Sequence, residues 1–243
     1  MKKVLSKSSH LFEKSAIIIL LFFGLIGCKN IKTEIDISDY YFPLTPEGNT
    51  VISEYITIKS GRDTQQMTWH YNFIGVDTLV ATGFNQNGQI VQERSEHIIS
   101  NGVELTALTA YMPDTTGNYY PSEAGIVYDD VFPYFVKPEA GVFLYKIELP
   151  DPILDGVVRT ITRNRRYLRD TSVIFHGSAV DGVVFDYKES IEDIREGRLT
   201  LDFYGQEIYL KGIGLYERIR NYEGSLYDIV RLKKMEKEFS QVR

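Results

Sequence analysis

The sequence predicts an all-β protein, built as a strongly curved antiparallel sheet or a partial barrel. Short segments that alternate apolar and polar residues recur along most of the chain, and turn signals such as Asn87-Gly88 separate them. The chain also contains 17 Tyr and 13 Phe among 243 residues, and both residue types favour strands. Apolar residues at helical spacing are confined to 189–197 and the C-terminal residues. We therefore expect one short helix at 189–197, packed on the sheet.

The strand patterns fall into two groups on either side of a proline-rich segment. The first group extends from about Thr50 to Met112 and predicts an antiparallel meander, because short polar turns join its successive segments. The second group follows from about residue 141 onward. We place both groups in a single domain, residues 40–243, with a division into two domains at 113–141 as the alternative.

Residues 113–141 combine four prolines with a concentration of aromatic residues. Proline cannot donate a hydrogen bond to a strand ladder, whereas a disordered linker would lack so many aromatic side chains. We expect an ordered loop or crossover that either lines the mouth of the curved sheet or caps the open end of its core. The candidate ligand-binding aromatic residues are Tyr119, Tyr120, Tyr128, Phe132 and Tyr134.

The first 27 residues have the features of a secretory signal peptide. Lysines precede an uninterrupted apolar run from Ala16 to Ile26, and Gly27 follows it. The run is much too short to cross the hydrocarbon layer of a membrane as a helix. Residues 28–39 are polar and lack periodicity, so we expect them to form a tether between the membrane and the domain.

Leu25-Ile26-Gly27-Cys28 resembles the lipobox of bacterial lipoproteins, and Cys28 is the only cysteine of the chain. In that family a peptidase cuts before the cysteine, whose sulfur and amine then carry acyl chains such as palmitate. The resemblance implies that Cys28 is lipidated and anchors the protein in the cell envelope, with the outer membrane as the expected site and its face left open. Two or more acyl chains anchor a protein stably. The alternative is a buried, small apolar cysteine.

Two further stretches resemble bacterial cell-envelope lipoproteins of unassigned function. They are YYFPLTPEGNTVISEY at 40–55 and EIYLKGIGLYER at 207–218. The resemblance implies a curved antiparallel sheet, comparable to the half-barrel of periplasmic lipoprotein carriers, and it implies no catalytic residues. Gly212 and Gly214 fit this shape, because glycines within a strand mark a bulge or a bend.

Composition and motifs argue against several classes of function. The formal net charge of −6 disfavours binding to nucleic acid, which depends on neutralising phosphates. His70, His97 and His176 have no other ligand at metal-site spacing, and no nucleophile elbow surrounds Ser178. We therefore expect a protein that is not an enzyme and that uses no cofactor and no metal.

Arginine is concentrated in one strand pattern of this acidic chain. Arg159, Arg163, Arg165 and Arg169 share the parity of one strand face. One interpretation is an anion site, because guanidinium groups suit phosphate, and this makes Arg163 and Arg165 candidate ligand-binding residues. The alternative is a solvated sheet face whose arginines pair with acids on a neighbouring strand.

Together these features predict a membrane-anchored, non-catalytic envelope lipoprotein. Its concave sheet is expected to bind an apolar or lipid-like ligand, a glycan or an envelope protein. Two alternatives remain open at this stage. One is a surface hydrolase that acts on polysaccharide through paired acids, and the other is a purely structural component of the envelope.

Overall fold

Strands dominate the protein. The structure, a computed structural model, describes residues 34–42, 50–59, 64–138, 141–194 and 198–238. Among these residues the helical structure is a single 3-10 turn at Ser38–Tyr40. The first eight strands are β1 (Ile35–Asp36), β2 (Thr50–Lys59), β3 (Gln65–Ile74), β4 (Thr78–Asn85), β5 (Ile90–Ile99), β6 (Gly102–Pro113), β7 (Tyr119–Glu123) and β8 (Gly125–Pro133). The others are β9 (Phe135–Val136), β10 (Phe143–Pro150), β11 (Val158–Phe175), β12 (Ser178–Ile194), β13 (Arg198–Leu210), β14 (Gly214–Tyr222) and β15 (Ser225–Glu238).

Two antiparallel meanders, β2 to β6 and β10 to β15, join at both sides to form a closed barrel. On one side β15 pairs with β2, and on the other side β8 lies between β6 and β10. The ring therefore reads β5-β4-β3-β2-β15-β14-β13-β12-β11-β10-β8-β6, and β6 pairs with β5. The all-β, strongly curved sheet is confirmed, but the partial barrel is wrong, because twelve strands close on themselves.

The proline-rich segment 113–141 is mainly strand, so the expected long loop is wrong in this respect. β7 and β8 lie one after the other along the same edge of β6. Pro113 and Pro133 end their strands, and Pro121 lies in β7, which pairs with β6 alone in the described sheet. Strand ends and edges are the places where a residue without an N–H is tolerated. The segment is thus part of the sheet rather than a domain boundary.

The expected short helix at 189–197 is also wrong over the part that the structure describes. Residues 189–194 belong to β12, which is paired with β11 on one side and with β13 on the other. Glu189 and Ile191 line the interior of the barrel, two residues apart as in a strand. Ladder hydrogen bonds to two neighbouring strands override a weak helical pattern. Residues 195–197 lie outside the described residues.

One end of the barrel is closed by the segment that precedes β2. The Ile37 N–H donates to the Tyr134 carbonyl at 2.7 Å, and the Gly212 N–H donates to the Asp39 carbonyl at 2.8 Å. Gly214 has φ of +93°, and a Cβ there would lie only 2.6 Å from the Tyr41 carbonyl oxygen. Ile37 is 1% exposed. The last residues of the predicted tether therefore pack against the barrel.

The main hydrophobic core lies at this closed end. Phe132, Phe185 and Tyr209 pack with ring centroids 4.9 to 5.9 Å apart, a favourable spacing for aromatic pairs. From Glu34 onward the chain forms one compact unit. A chain that starts at Lys29 therefore retains the whole core and is expected to fold on its own.

Gly205 provides a test of the β13–β14 pairing. A Cβ at this position would lie 1.7 Å from the Ile219 carbonyl oxygen, so Gly205→Ala must push the two strands apart. We expect the substitution to lower the free energy of unfolding by about 3 kcal/mol or more, measured by urea denaturation. Gly125→Ala is the matched control, because its nearest neighbour would be 3.8 Å away. Equal midpoints of urea denaturation for Gly205→Ala and Gly125→Ala would contradict this account of the β13–β14 pairing.

Candidate functional site

The barrel encloses a cavity of about 570 Å³. At the closed end the cavity meets the aromatic core at Tyr41 and Tyr209, and at the other end it reaches the strand ends at Lys59 and Gln65. A ring of twelve strands is wider than the eight-stranded barrels whose interiors side chains can fill. An interior space therefore follows from the number of strands.

One wall of the cavity is apolar. Leu105 and Leu108 on β6 form a buried cluster with Ile147 and Leu149 on β10. The partly buried side chains that extend this wall are Ala110, Met112 and Ile161. Strand alternation turns Leu108, Ala110 and Met112 toward the interior, and likewise Ile147 and Leu149. A register shift between Leu105 and Ala107 in β6 brings Leu105 to the same face.

The wall that faces β6 is charged. In the ring of twelve strands β14 is six strands away from β6 in either direction, so the two strands lie on opposite sides of the cavity. Below the mouth, the lining residues that β11 to β15 contribute include four arginines and three acids. They are Arg163, Arg165, Arg218, Arg220, Glu189, Glu207 and Asp228.

Strand register brings these opposite charges together. Arg163 lies directly opposite Glu189 in the β11–β12 ladder, and Arg220 lies directly opposite Asp228 in the β14–β15 ladder. Directly opposed residues have neighbouring Cβ atoms, and opposite charges at such positions stabilise the pairing. The network is therefore built into the sheet.

Glu189 is held between two arginines. Arg163 donates to Glu189 Oε2 from Nε at 2.9 Å, and Arg220 donates to Oε1 from Nη1 at 3.1 Å. Arg220 also forms a two-point ion pair with Asp228. Burial by itself would raise the pKa of Glu189, but the positive charges of Arg163 and Arg218 outweigh it and lower the pKa from 4.5 to about 2. Glu189 is consequently a carboxylate at neutral pH.

Glu207 is engaged by a second set of groups. It accepts hydrogen bonds from Arg165 Nε at 2.7 Å and from the Tyr209 hydroxyl at 3.2 Å, and Arg163 Nη1 lies 3.6 Å away. Burial would raise the pKa of Glu207, but the charges of Arg165 and Arg163 lower it. Burial and the negative charge of Glu207 raise the pKa of Tyr209, so this phenol stays protonated and donates.

Arg218 is the arginine of this wall that lacks a carboxylate of its own. It lies opposite Glu207 in the β13–β14 ladder, but Glu207 is taken up by Arg165 and Arg163. Within the described part of the chain Arg218 forms no ion pair within 4.0 Å, and its buried Nε has no hydrogen-bond partner. Burial and the nearby charges of Arg163 and Arg220 lower the pKa of Arg218.

A separate ion pair lies where the cavity meets the closing segment. Arg94 Nε is 2.9 Å from Glu96 Oε1, and Glu96 is completely buried. The Tyr41 hydroxyl donates to Glu96, and the Arg94 guanidinium lies 4.9 Å from the Trp69 ring centroid. These contacts attach the closing segment to the interior of the barrel.

The candidate aromatic residues are not brought to one site. Phe132 is 2% exposed and Tyr134 is 9% exposed, and both belong to the core of the closed end. Tyr120 and Tyr128 are exposed, and neither they nor Tyr119 is among the residues that line the cavity. The segment therefore caps the core with two of its aromatic side chains and presents others outside the cavity.

The sequence predicts that Arg159, Arg163, Arg165 and Arg169 share one face of β11, and the structure places only the first three of them there. Arg163 and Arg165 line the cavity, so their face of β11 is interior rather than solvated, although it is paired with acids. Arg159 lines the cavity closer to its mouth. Arg169 leaves this face, because a bulge after Tyr167 shifts the register of β11 against β12.

The part of the charged wall outside β11 was not predicted from the sequence. A signal for it exists in the alternation of Arg218 and Arg220 around Ile219, and in the buried acids Glu189 and Glu207 within otherwise strand-like segments. The lipidation site Cys28 lies outside the described residues.

Metal-binding clusters and membrane-spanning helices are both absent from the described residues. No group of three or more His, Cys, Asp or Glu side chains there could hold a metal ion. Nor does that part of the chain contain a helix with the length and apolar character needed to cross a membrane.

Comparison with known structures shows the fold. A protein from Parabacteroides distasonis ATCC 8503, described as a lipoprotein, matches over 81% of this chain and 98% of its own, with 14% identity and a TM-score of 0.54. A Bacteroides fragilis exported protein with a YmcC-like fold (13% identity, 81% and 99% coverage) has a TM-score of 0.44. The hypothetical lipoprotein YmcC from Escherichia coli (9% identity, 78% and 89% coverage) has a TM-score of 0.33. No family model and no curated protein matches the chain.

The match to the Parabacteroides distasonis protein confirms the predicted resemblance in fold to a bacterial lipoprotein with a curved-sheet domain. At 14% identity the resemblance concerns the fold.

The lowered pKa of Glu189 predicts a pH dependence of stability. A carboxyl whose pKa is depressed by folding contributes stability above its unfolded value, and this contribution is lost as the pH falls from 4.5 toward about 2. We expect Glu189→Gln to lower the free energy of unfolding at pH 7 by about 3 kcal/mol, and the difference from wild type to shrink toward pH 2. Urea denaturation between pH 7 and pH 2 measures it.

Glu123→Gln, the same change at an exposed position of β7, is the control and should change stability little at any pH. A constant difference between wild type and Glu189→Gln across this range would contradict the assignment of Glu189 as a buried, paired carboxylate.

Proposed function

We propose that this protein is a membrane-anchored lipoprotein of the bacterial envelope, non-catalytic, whose barrel binds an amphipathic, lipid-like ligand. One observation carries the proposal: a cavity of about 570 Å³ has an apolar wall on β6 and β10 and a charged wall on β11 to β15. Cavities of about 300–1,000 Å³ are typical of small-molecule sites, which combine an apolar lining with a few placed polar groups.

The lining favours an amphiphile over the other expected ligands. A purely apolar ligand would leave the arginines of β11 and β14 facing hydrocarbon, and a charged group in an apolar environment is strongly disfavoured. A glycan would leave Leu105, Leu108 and Ile147 facing its hydroxyl groups. A ligand with an apolar chain and a charged head satisfies both walls.

The acids of the cavity support binding rather than hydrolysis. Hydrolysis of a glycosidic bond uses one carboxylic acid with a raised pKa beside a second carboxylate. Burial would raise the pKa values of Glu189 and Glu207, but the positive charges of neighbouring arginines outweigh it and lower both. These acids hold guanidinium groups in place. A surface polysaccharide hydrolase therefore stands as the weaker candidate.

The anchor is proposed from the sequence. The lipobox Leu25-Ile26-Gly27-Cys28 follows an apolar run, and the fold is shared with a protein described as a lipoprotein. We propose lipidation of Cys28, with the outer membrane as the site of the anchor. If the cavity binds no ligand, binding of an envelope protein or a purely structural role in the envelope becomes the favoured function.

Blocking the cavity tests ligand binding. In the chain that starts at Lys29, we expect wild type to bind the uncharged apolar fluorophore N-phenyl-1-naphthylamine, with displacement by decanoate. Ala110→Trp places a large ring in the cavity and should weaken probe binding by about tenfold or more, since lost apolar contact of this size costs above 1.4 kcal/mol.

Ala107→Trp makes the identical change at an exposed position of the same strand and should bind the probe as wild type does. Absence of probe and decanoate binding to wild type would overturn the proposal and direct attention to the structural role. Equal weakening by both substitutions would place the bound probe outside the cavity.

Replacing the lipidation site tests the anchor. We expect the full-length protein to incorporate radiolabelled palmitate and to remain in the membrane fraction after a salt wash, because two or more acyl chains bind stably. Cys28→Ser should abolish the label and release the protein from the membrane fraction. Incorporation of the label by the variant would contradict lipidation at this residue, and Ser6→Ala serves as a control within the signal peptide.

A further inference from the structure

We propose that Arg218, flanked by Arg163 and Arg220, forms an oxyanion subsite in the cavity wall, which takes the carboxylate or phosphate group of the ligand. The inference deepens the proposed function, because it rests on the same cavity and names the chemistry of the ligand's head. All three arginines line the cavity. Arg218 and Arg220 lie on β14, across the ring from the apolar wall on β6, and Arg163 lies on β11, next to β10.

Positive charge exceeds negative charge in this wall. The carboxylates near Arg218 form ion pairs with other arginines: Glu189 with Arg163 and Arg220, and Glu207 with Arg165. Glu207 Oε1 has no hydrogen-bond partner among the described residues, but Arg163 lies 3.6 Å from it. Asp228 is held by Arg220 at two points. The interior wall therefore has four guanidinium groups for three carboxylates, and the additional positive charge falls on Arg218.

Leaving the additional charge of Arg218 uncompensated is unfavourable. A buried polar group without a partner loses its solvation without regaining a hydrogen bond, and a buried charge loses more. Arginine does not escape this cost by deprotonation, because its pKa stays far above neutrality. The lowered pKa of Arg218, due to burial and then to Arg163 and Arg220, records this repulsion. An oxyanion would supply both the missing charge and the acceptor for Nε.

A second unpartnered polar group lies behind the cavity lining, within the electrostatic influence of Arg218 and Arg163. The Tyr187 hydroxyl is buried and has no hydrogen-bond partner among the described residues. The Arg163 guanidinium lies 5.7 Å from its ring centroid, and the charges of Arg218 and Arg163 act on the hydroxyl. Burial raises the pKa of Tyr187, so it is a neutral donor at physiological pH. The Arg218 Nε donor and the Tyr187 hydroxyl therefore both lack hydrogen-bond partners in this part of the barrel.

Competition for the fluorescent probe tests the subsite. Decanoate, decyl phosphate and 1-decanol share one chain length, and the first two add an oxyanion head. In wild type we expect both anions to displace N-phenyl-1-naphthylamine at concentrations about tenfold or more below that of 1-decanol, the scale of a charge-assisted hydrogen bond. In Arg218→Gln this preference should be lost, with the affinity for 1-decanol unchanged.

Arg166→Gln is the matched control. Arg166 lies on the same strand as Arg163, but it is 58% exposed, lies 3.5 Å from Asp186 and is not among the residues that line the cavity. This variant should keep the preference for the anions. Thermal unfolding without ligand is the second readout: Arg218→Gln should melt no lower than wild type, because it removes an uncompensated charge. A marked loss of stability in Arg218→Gln would assign the residue a structural role and overturn the subsite.

The outcomes separate this inference from the proposed function. Equal affinity of wild type for decanoate, decyl phosphate and 1-decanol would overturn the subsite and leave the cavity ligand standing. No binding of the apolar probe or any amphiphile would overturn the proposed function. In that case, thermal stabilisation of wild type but not of Arg218→Gln by inorganic phosphate would support the subsite with a small free anion as its ligand. Absence of this thermal stabilisation would overturn both the subsite and the proposed function.

Discussion

The pairing of β15 with β2 is the constraint on which the rest of the structure depends. It runs from Asp228 opposite Lys59 to Glu238 opposite Thr50 and joins the end of the second meander to the start of the first. Together with β8, which bridges β6 and β10, it turns two open sheets into one ring. Each meander alone would expose two long strand edges, which are templates for aggregation. Closure removes these edges and makes every inward-pointing side chain part of a shared interior.

That interior is filled in two different ways along the barrel axis. At the closed end the preceding segment inserts Tyr41 and packs with Phe132 and Phe185, so apolar burial holds the ring together. At the other end the ring is lined by ion pairs around Glu189 and Glu207 instead. Buried ion pairs seldom stabilise a fold more than well-packed apolar side chains would. Their place in the cavity wall, apart from the apolar core, is consistent with a role in binding.

Local features of the fold could be predicted from the sequence, and long-range features could not. Strand alternation and the Asn87-Gly88 turn depend on neighbouring residues, and both meanders follow from such patterns. The β15–β2 pairing joins residues that are far apart in sequence, so closure left no local signal. The predicted position of Arg169 is wrong for a related reason, since one bulge reverses the parity of every later residue in the strand. Arg163 and Arg165 precede the bulge, and they share one strand face, as their parity predicts.

The division of the cavity into two walls is a consequence of chain order. The apolar wall comes mainly from β6 and β10 and the charged wall from β11 to β15, and the closing pairings place β14 across the ring from β6. A ligand that satisfies both must span the barrel, with its head at Arg218 and its apolar chain against Leu105 and Leu108. Ligand length is then limited by the width of the ring, whereas a site along the barrel axis would accept long chains. The geometry therefore favours a ligand whose apolar chain is short or folded. The dependence of affinity on the length of that chain is then as informative as its dependence on the head group.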